Sequence, residues 1–224
     1  ELKKKITDAT NDPRPIIRID SDENELAKLN PDKDQIIICT QLAWPYLAWK
    51  KIKLFVFLDA DAPLFIPEYK IIENLWQQIR DVQYKLTEGS AFLIQTGYPE
   101  HLVFKSLYDP DLFYSEQLAE RRVLGYPPYK FMLKLFAGNP KSAIIEGEAE
   151  KIKNNLLGLT KGLPGVKILG PLETSPYYHG GQYWHVILAK IGYENYKQNT
   201  KLIVANLPDN WKIDPNPNSL LSFS

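Results

Sequence analysis

The hydrophobic positions along the chain follow two periods. Ile16-Ile17-Arg18-Ile19, Ile36-Ile37-Ile38 and Leu54-Phe55-Val56-Phe57-Leu58 are short runs rich in β-branched and aromatic residues. Such runs predict strands buried on both faces, as in a parallel sheet covered by helices. Over 67–86 the period lengthens. Ile72, Leu75, Trp76, Ile79 and Val82 recur every three or four residues and predict a helix. Pro67 suits its first turn, and Glu68 suits the positive end of its dipole. Ala91-Phe92-Leu93-Ile94 reads as a further strand. Residues 1–98 thus read as an incomplete α/β module.

Residues 99–128 read as a connector. Asp109-Pro110-Asp111 marks a turn or helix start, and a helix over 113–123 carries Arg121 and Arg122. Gly125-Tyr126-Pro127-Pro128 ends it, because proline lacks a donor and biases its predecessor away from α. Residues 129–224 predict a strand over 130–137 and a helix over 141–157 with Ile145, Ala149, Ile152 and Leu156 on one face. A strand over 166–169 then ends at Gly170-Pro171. A strand over 182–190, a helix over 194–206 and a short strand at Trp211-Lys212-Ile213 follow. The order βαββαβ is that of a ferredoxin-like sandwich, with two helices on one face of an antiparallel sheet. The fold class is α/β.

Composition narrows the chemistry. The chain has 224 residues, 44% hydrophobic and 24% charged, which argues against disorder over most of its length. Basic and acidic residues number 27 each, so no global basic field announces nucleic acid. Residues 1–98 hold 13 basic and 15 acidic side chains, and residues 99–224 hold 14 and 12. Any nucleic-acid contact therefore rests on a local patch. One cysteine excludes a disulfide framework and a four-cysteine zinc site. His101, His179 and His185 lie far from Cys39 in sequence, so no metal site is expected. No apolar run approaches the roughly 18 to 20 residues of a membrane span, so no membrane partner is expected. Glu1-Leu2-Lys3-Lys4-Lys5 has neither the apolar core of a signal peptide nor an initiator methionine. It reads as the cut end of a longer chain.

Several motifs carry two readings. No glycine-rich run precedes Lys and Ser or Thr, so the chain has no phosphate-cradling loop of its own. Asp59-Ala60-Asp61 is either a pair of metal-binding carboxylates or the polar end of a strand. Trp44, Tyr46 and Trp49 either stack bases or cover a hydrophobic edge. Cys39 reads as an inert core thiol. The stretch from Tyr177 to His185 mixes aromatics, polar groups and Gly180-Gly181. It reads either as a recognition loop or as a hairpin tip with ordinary aromatic packing. No nucleophile–His–acid arrangement is visible.

Phe113-Tyr114, Glu116, Leu118-Ala119-Glu120-Arg121-Arg122 and Leu124-Gly125-Tyr126-Pro127-Pro128-Tyr129 form an ordered block. It resembles the FY-x-E-L-x-x-R-x-x-LGYPPF signature of the PriA family of bacterial primosomal replication-restart helicases. Further matching pieces follow in family order: Leu169-Gly170-Pro171, Ser175-Pro176, Gly181-Gln182-Tyr183, Ile187-Leu188 with Lys190, and Asp214 with Ser219-Leu220-Leu221. In the first half, Arg18-Ile19-Asp20-Ser21-Asp22 resembles the strand after the family's zinc-binding insertion. Thr40-Gln41 resembles the remains of its GTQM motif. Leu58-Asp59-Ala60-Asp61, Pro67-Glu68-Tyr69, Glu73 and Leu93-Ile94-Gln95-Thr96 resemble parts of the second helicase lobe.

The resemblance covers nearly the whole chain. It implies a degenerate superfamily 2 helicase lobe over 1–98, a connector over 99–128 and a PriA-like C-terminal domain over 129–224. It further implies a family of ATP-dependent 3′–5′ DNA helicases that recognise stalled or branched forks. Their cofactors are ATP with Mg, and structural zinc in a region this chain lacks. The implied partners are branched or single-stranded DNA, single-strand-binding protein and primosome components. The implied location is the cytoplasm, at the nucleoid.

The departures from the family are large. Pro45, Tyr46 and Ala48 stand where the family has Lys, Gly and Asp. Lys85 and Glu88 stand where it has two arginines that reach the triphosphate. Glu88 has the wrong sign, and Lys85 cannot form a bidentate fork. Thr40, Gln41, Asp59, Asp61 and Lys85 are therefore read as degenerate helicase motifs, and no catalytic residue is expected. Arg121, Arg122, Lys130, Tyr183, Trp184, His185 and Lys190 are the candidate nucleic-acid contacts. Cations would position phosphates and aromatics would stack on unpaired bases. The alternative for Arg121 and Arg122 is salt bridging at a domain interface. Two alternatives stand for the chain as a whole: a scaffold that docks primosome or single-strand-binding proteins without DNA, and part of an active helicase with its first lobe upstream.

Overall fold

Short apolar runs near the N-terminus pair as parallel strands in the computed structural model, which describes residues 2–9 and 12–222. After helix α1 (Leu2–Ala9), strand β1 (Ile16–Ile19) pairs with β2 (Ile36–Cys39), Ile16 opposite Ile36. Strand β3 (Leu54–Phe57) pairs with β4 (Ala91–Ile94), helix α2 (Ile71–Lys85) lying between them in sequence. These are two separate two-stranded sheets. The expected burial on both faces fails for β3 and β4. Leu54, Val56 and Leu93 are exposed, whereas Phe55 packs against Trp44, Trp49 and Phe92. A run apolar at every position hides which of its two alternating faces is covered. Helix α1 was not anticipated from the pattern.

The chain divides into two units. The first comprises residues 1–58 and 80–95, the second 59–79 and 96–224, so the division falls within α2. In the second unit, α3 (Leu102–Lys105) precedes α4 (Pro110–Leu124). The side chain of Asp109 caps α4 by accepting the Leu112 N–H, and Pro110 occupies its first turn. Gly125 ends it in the left-handed region at φ 64°.

Strand β5 (Phe131–Asn139), α5 (Ser142–Leu159), β6 (Lys167–His179), β7 (Gln182–Ile191), α6 (Tyr196–Val204) and β8 (Lys212–Pro215) complete the chain. The sheet order is β6-β7-β5-β8 with every neighbouring pair antiparallel. Leu133, Leu135, Ile187 and Ala189 point to one face and pack with Ile145, Leu156 and Ile203 of α5 and α6. This is the ferredoxin-like arrangement. Met132, Val186 and Leu188 point the other way and pack with Leu220 near the C-terminus.

Gly170-Pro171 does not end the strand it follows. Strand β6 continues to His179 through register shifts between Leu169 and Leu172 and between Glu173 and Tyr178. Pro171 and Pro176 offer no N–H to the ladder, and bulges absorb the loss. Gly180 and Gly181, at φ 59° and 79°, make the two-residue turn that joins β6 to β7. Among the described residues, no helix is long and apolar enough to cross a membrane.

Candidate nucleic-acid interface

A strand sends successive side chains to opposite faces, and β7 therefore separates candidates that adjoin in sequence. Tyr183 and His185 share the helix-covered face. Tyr183 lies against Tyr177 and Tyr178, with ring centroids 5.2 Å and 4.8 Å away. His185 is 5% exposed and meets the Tyr177 ring edge-on at 5.4 Å. Its Nδ1 is buried without a hydrogen-bond partner. Burial pushes its pKa below the ordinary histidine value, and Glu173 and Glu146 oppose that shift. Trp184 points to the other face. Its indole lies across Gly138, where an added Cβ would come within 2.7 Å of the ring. Its Nε1 donates to the His179 carbonyl at 3.0 Å, and Lys212 sits 5.2 Å above the ring. These three residues build the hairpin, and Tyr178, 56% exposed, is the aromatic it presents to solvent.

The other end of the sheet gathers cations. Lys190 lies opposite Lys167 in the β6–β7 register. Its ammonium donates to the Leu124 carbonyl at 2.8 Å and sits 3.7 Å above the Tyr126 ring. Burial pushes its pKa down, and the nearby charges of Lys167 and Lys130 push the same way. Lys130 reaches the Gly165 carbonyl at 3.5 Å. The Arg122 guanidinium lies 4.8 Å over the Tyr129 ring. Among the described residues, no carboxylate forms an ion pair with Arg122, Lys130, Lys167 or Lys190. Arg122 and Lys167 are exposed and Lys130 is half-buried, so these three are the cations of this patch that a phosphate can reach, whereas Lys190 is 7% exposed and Tyr126 and Tyr129 are half-buried. Lys167, Tyr126 and Tyr129 were not among the sequence candidates. Lys167 joins the patch only through the hairpin register, which the bulges of β6 conceal. The two tyrosines are visible in the signature block but read there as turn residues.

Arg121 is engaged elsewhere. Its guanidinium pairs with Glu73 at 2.5 Å, donates to the Pro127 carbonyl at 3.4 Å and lies 5.5 Å from the Tyr69 ring. Tyr69 stacks on Tyr126 at 5.0 Å, so the two rings form a pair with Arg121 at one end and Lys190 at the other. Burial pushes the Tyr69 hydroxyl up to about 12, and the hydroxyl donates to the Pro217 carbonyl at 2.6 Å.

The residues of the helicase-like motifs are occupied locally. In the first unit, the Thr40 N–H donates to the Ile19 carbonyl at 3.1 Å, and Gln41 opens a 3-10 turn, Gln41–Tyr46. Lys85 pairs with Asp81 at 2.6 Å and lies 5.7 Å and 5.2 Å from the Trp44 and Trp49 rings. Burial pushes the Cys39 thiol up, away from reactivity. In the second unit, Asp61 accepts the Thr96 hydroxyl and, at 2.6 Å, the Gly97 N–H. Asp59 holds a positive φ of 51°. Among the described residues, no group of three or more His, Cys, Asp and Glu could hold a metal ion.

No family model matches the chain. It is 28% identical over 172 residues to replication restart protein PriA of Thermotoga maritima, covering 75% of this chain and 22% of that protein. It is 27% identical over 200 residues to PriA of Bacillus subtilis, covering 84% of this chain and 24% of that protein. Against PriA of Haemophilus influenzae it is 26% identical over 187 residues, 77% of this chain and 25% of that protein. The chain spans about a quarter of the length of these curated relatives. By its ordered motifs and these matches, the chain is similar over most of its length to a part of replication restart protein PriA.

Proposed function

We propose that the chain is the DNA-contacting part of a PriA-like replication-restart protein, engaging branched or single-stranded DNA at stalled forks. The observation that carries this reading is the group of accessible cations Arg122, Lys130 and Lys167 around the buried Lys190, none of them in an ion pair among the described residues. The cations position phosphates, and the exposed Tyr178 of the hairpin offers a ring for stacking. Lys190 and Tyr183 lie seven residues apart on one strand, roughly 23 Å at 3.3 Å per residue. The basic end thus takes backbone, and the aromatic hairpin, with Tyr178, takes unpaired bases some distance away.

Residues of this chain do not fit a triphosphate. Lys85 is held by Asp81 and faces two indoles, Asp61 is committed to Thr96 and Gly97, and Glu88 brings the wrong charge. The reading therefore assigns no ATP hydrolysis to these residues. Single-strand-binding protein and primosome components are the proposed protein partners, in the cytoplasm at the nucleoid. A second reading is a docking scaffold that has lost DNA binding; the exposed Leu54, Val56 and Leu93 favour it.

The test is binding to a labelled fork, with duplex of equal length as control, at two salt concentrations. Tighter binding to the fork, weakening as salt rises, is the expected result. No binding at low salt overturns the DNA reading and leaves the scaffold.

A further inference from the structure

Side chains of the second unit grip the main chain of its own C-terminal segment. Glu68 accepts the N–H groups of Leu220 at 2.6 Å and Leu221 at 2.8 Å, and the Ser219 hydroxyl at 2.6 Å. Lys134, only 1% exposed, donates its ammonium to the carbonyls of Ser219 at 3.1 Å and Ser222 at 2.6 Å. The Ser175 N–H, left out of the ladder by the bulge in β6, donates to the Leu221 carbonyl at 3.0 Å. Leu220 fills a socket of Met132, Val186 and Leu188.

One carboxylate for main-chain donors, one buried ammonium for acceptors and one apolar socket are the parts of a peptide-recognition site. Residues 217–222 form no helix or strand, so the segment can leave without dismantling an element. Apolar residues would cover the sheet face without the cost of desolvating an ammonium. The charged clamps specify a backbone rather than merely fill a gap. The seated segment also shows what the groove accepts.

We propose that residues 217–222 are a releasable strap over a peptide-binding groove, and that the groove takes from a partner protein a segment of the same chemistry. That segment is a small hydroxyl-bearing residue followed by two leucines. The proposal stands apart from the DNA reading.

The probe is a fluorescent peptide of residues 215–222, titrated into the full chain and into its Leu220→Asp variant. A closed strap reduces apparent affinity by the fraction of open molecules. The variant should bind the peptide at least about 10-fold tighter than the unaltered chain. Adding Lys134→Met should abolish that binding. A variant with native circular dichroism that binds no tighter than the unaltered chain overturns the proposal. Should Leu220→Asp prevent folding, Ser219→Ala is titrated in its place. Hydrogen exchange on the unaltered chain gives a second readout. The amides of Leu220 and Leu221 should exchange at least about 100-fold faster than those of Leu133 and Ile187. Equal rates for strap and strands overturn the proposal.

Discussion

Arg121 gives its guanidinium to Glu73, whereas Arg122, one residue on, lies over Tyr129 and forms no ion pair among the described residues. Arg121→Ala leaves the partly buried Glu73 unpaired and should cost about 2 to 4 kcal/mol in urea unfolding. Arg122→Ala should change stability by no more than about 0.5 kcal/mol, yet weaken fork binding in an anisotropy titration. Lys190→Met leaves the Leu124 carbonyl without its donor and should cost about 1 to 3 kcal/mol. Arg122 and Lys190 were named as cations within the blocks that match the family, and Lys130 as a cation just after one. The sequence could not separate Arg121 from Arg122, since Glu73 is 48 positions away and pairs only in the folded chain. Contiguity also misled: Tyr183, Trp184 and His185 adjoin in sequence but point alternately to two faces.

Within the β6–β7 hairpin, backbone geometry sets the tolerance to change. Gly181→Val forces a β-branched residue into φ 79° and should cost about 1 kcal/mol or more in thermal unfolding. Gly138→Ala should shift the Trp184 indole and alter the near-ultraviolet circular dichroism, because the new methyl would sit against the ring. His185 makes the hairpin sensitive to pH. Its folded pKa lies below the ordinary 6.5, so the unfolded chain takes the proton first as pH falls. Stability is full above about pH 6.5, declines below it and levels off once the folded pKa is passed. His101 has the same sign. Unfolding free energy should fall between pH 7 and pH 5, and His185→Gln should shrink the fall. The βαββαβ order was legible because helix periods, caps and glycine turns punctuate it. The extension of β6 was not, since a proline reads as a stop until bulges accommodate it. The exposed face of β3 and β4 was not either, since apolar residues occupy both alternating positions.

At the scale of the whole molecule, equal numbers of acidic and basic residues conceal a local imbalance. Among the described residues Lys141, Lys161 and Lys197 also lack an ion pair, so what sets Lys130, Lys167 and Lys190 apart is that their charges lie close together. Such a patch predicts modest, salt-sensitive binding rather than the strong field of a basic protein. The direct test is the dependence of fork affinity on salt, compared between the unaltered chain and Lys130→Ala/Lys167→Ala. Each lost phosphate contact removes about 0.7 to 0.9 from the slope of log affinity against log salt. The double variant should therefore show a slope shallower by about 1.4 to 1.8, with its thermal midpoint little changed. An unchanged slope would contradict the assignment of DNA backbone to this end of the sheet.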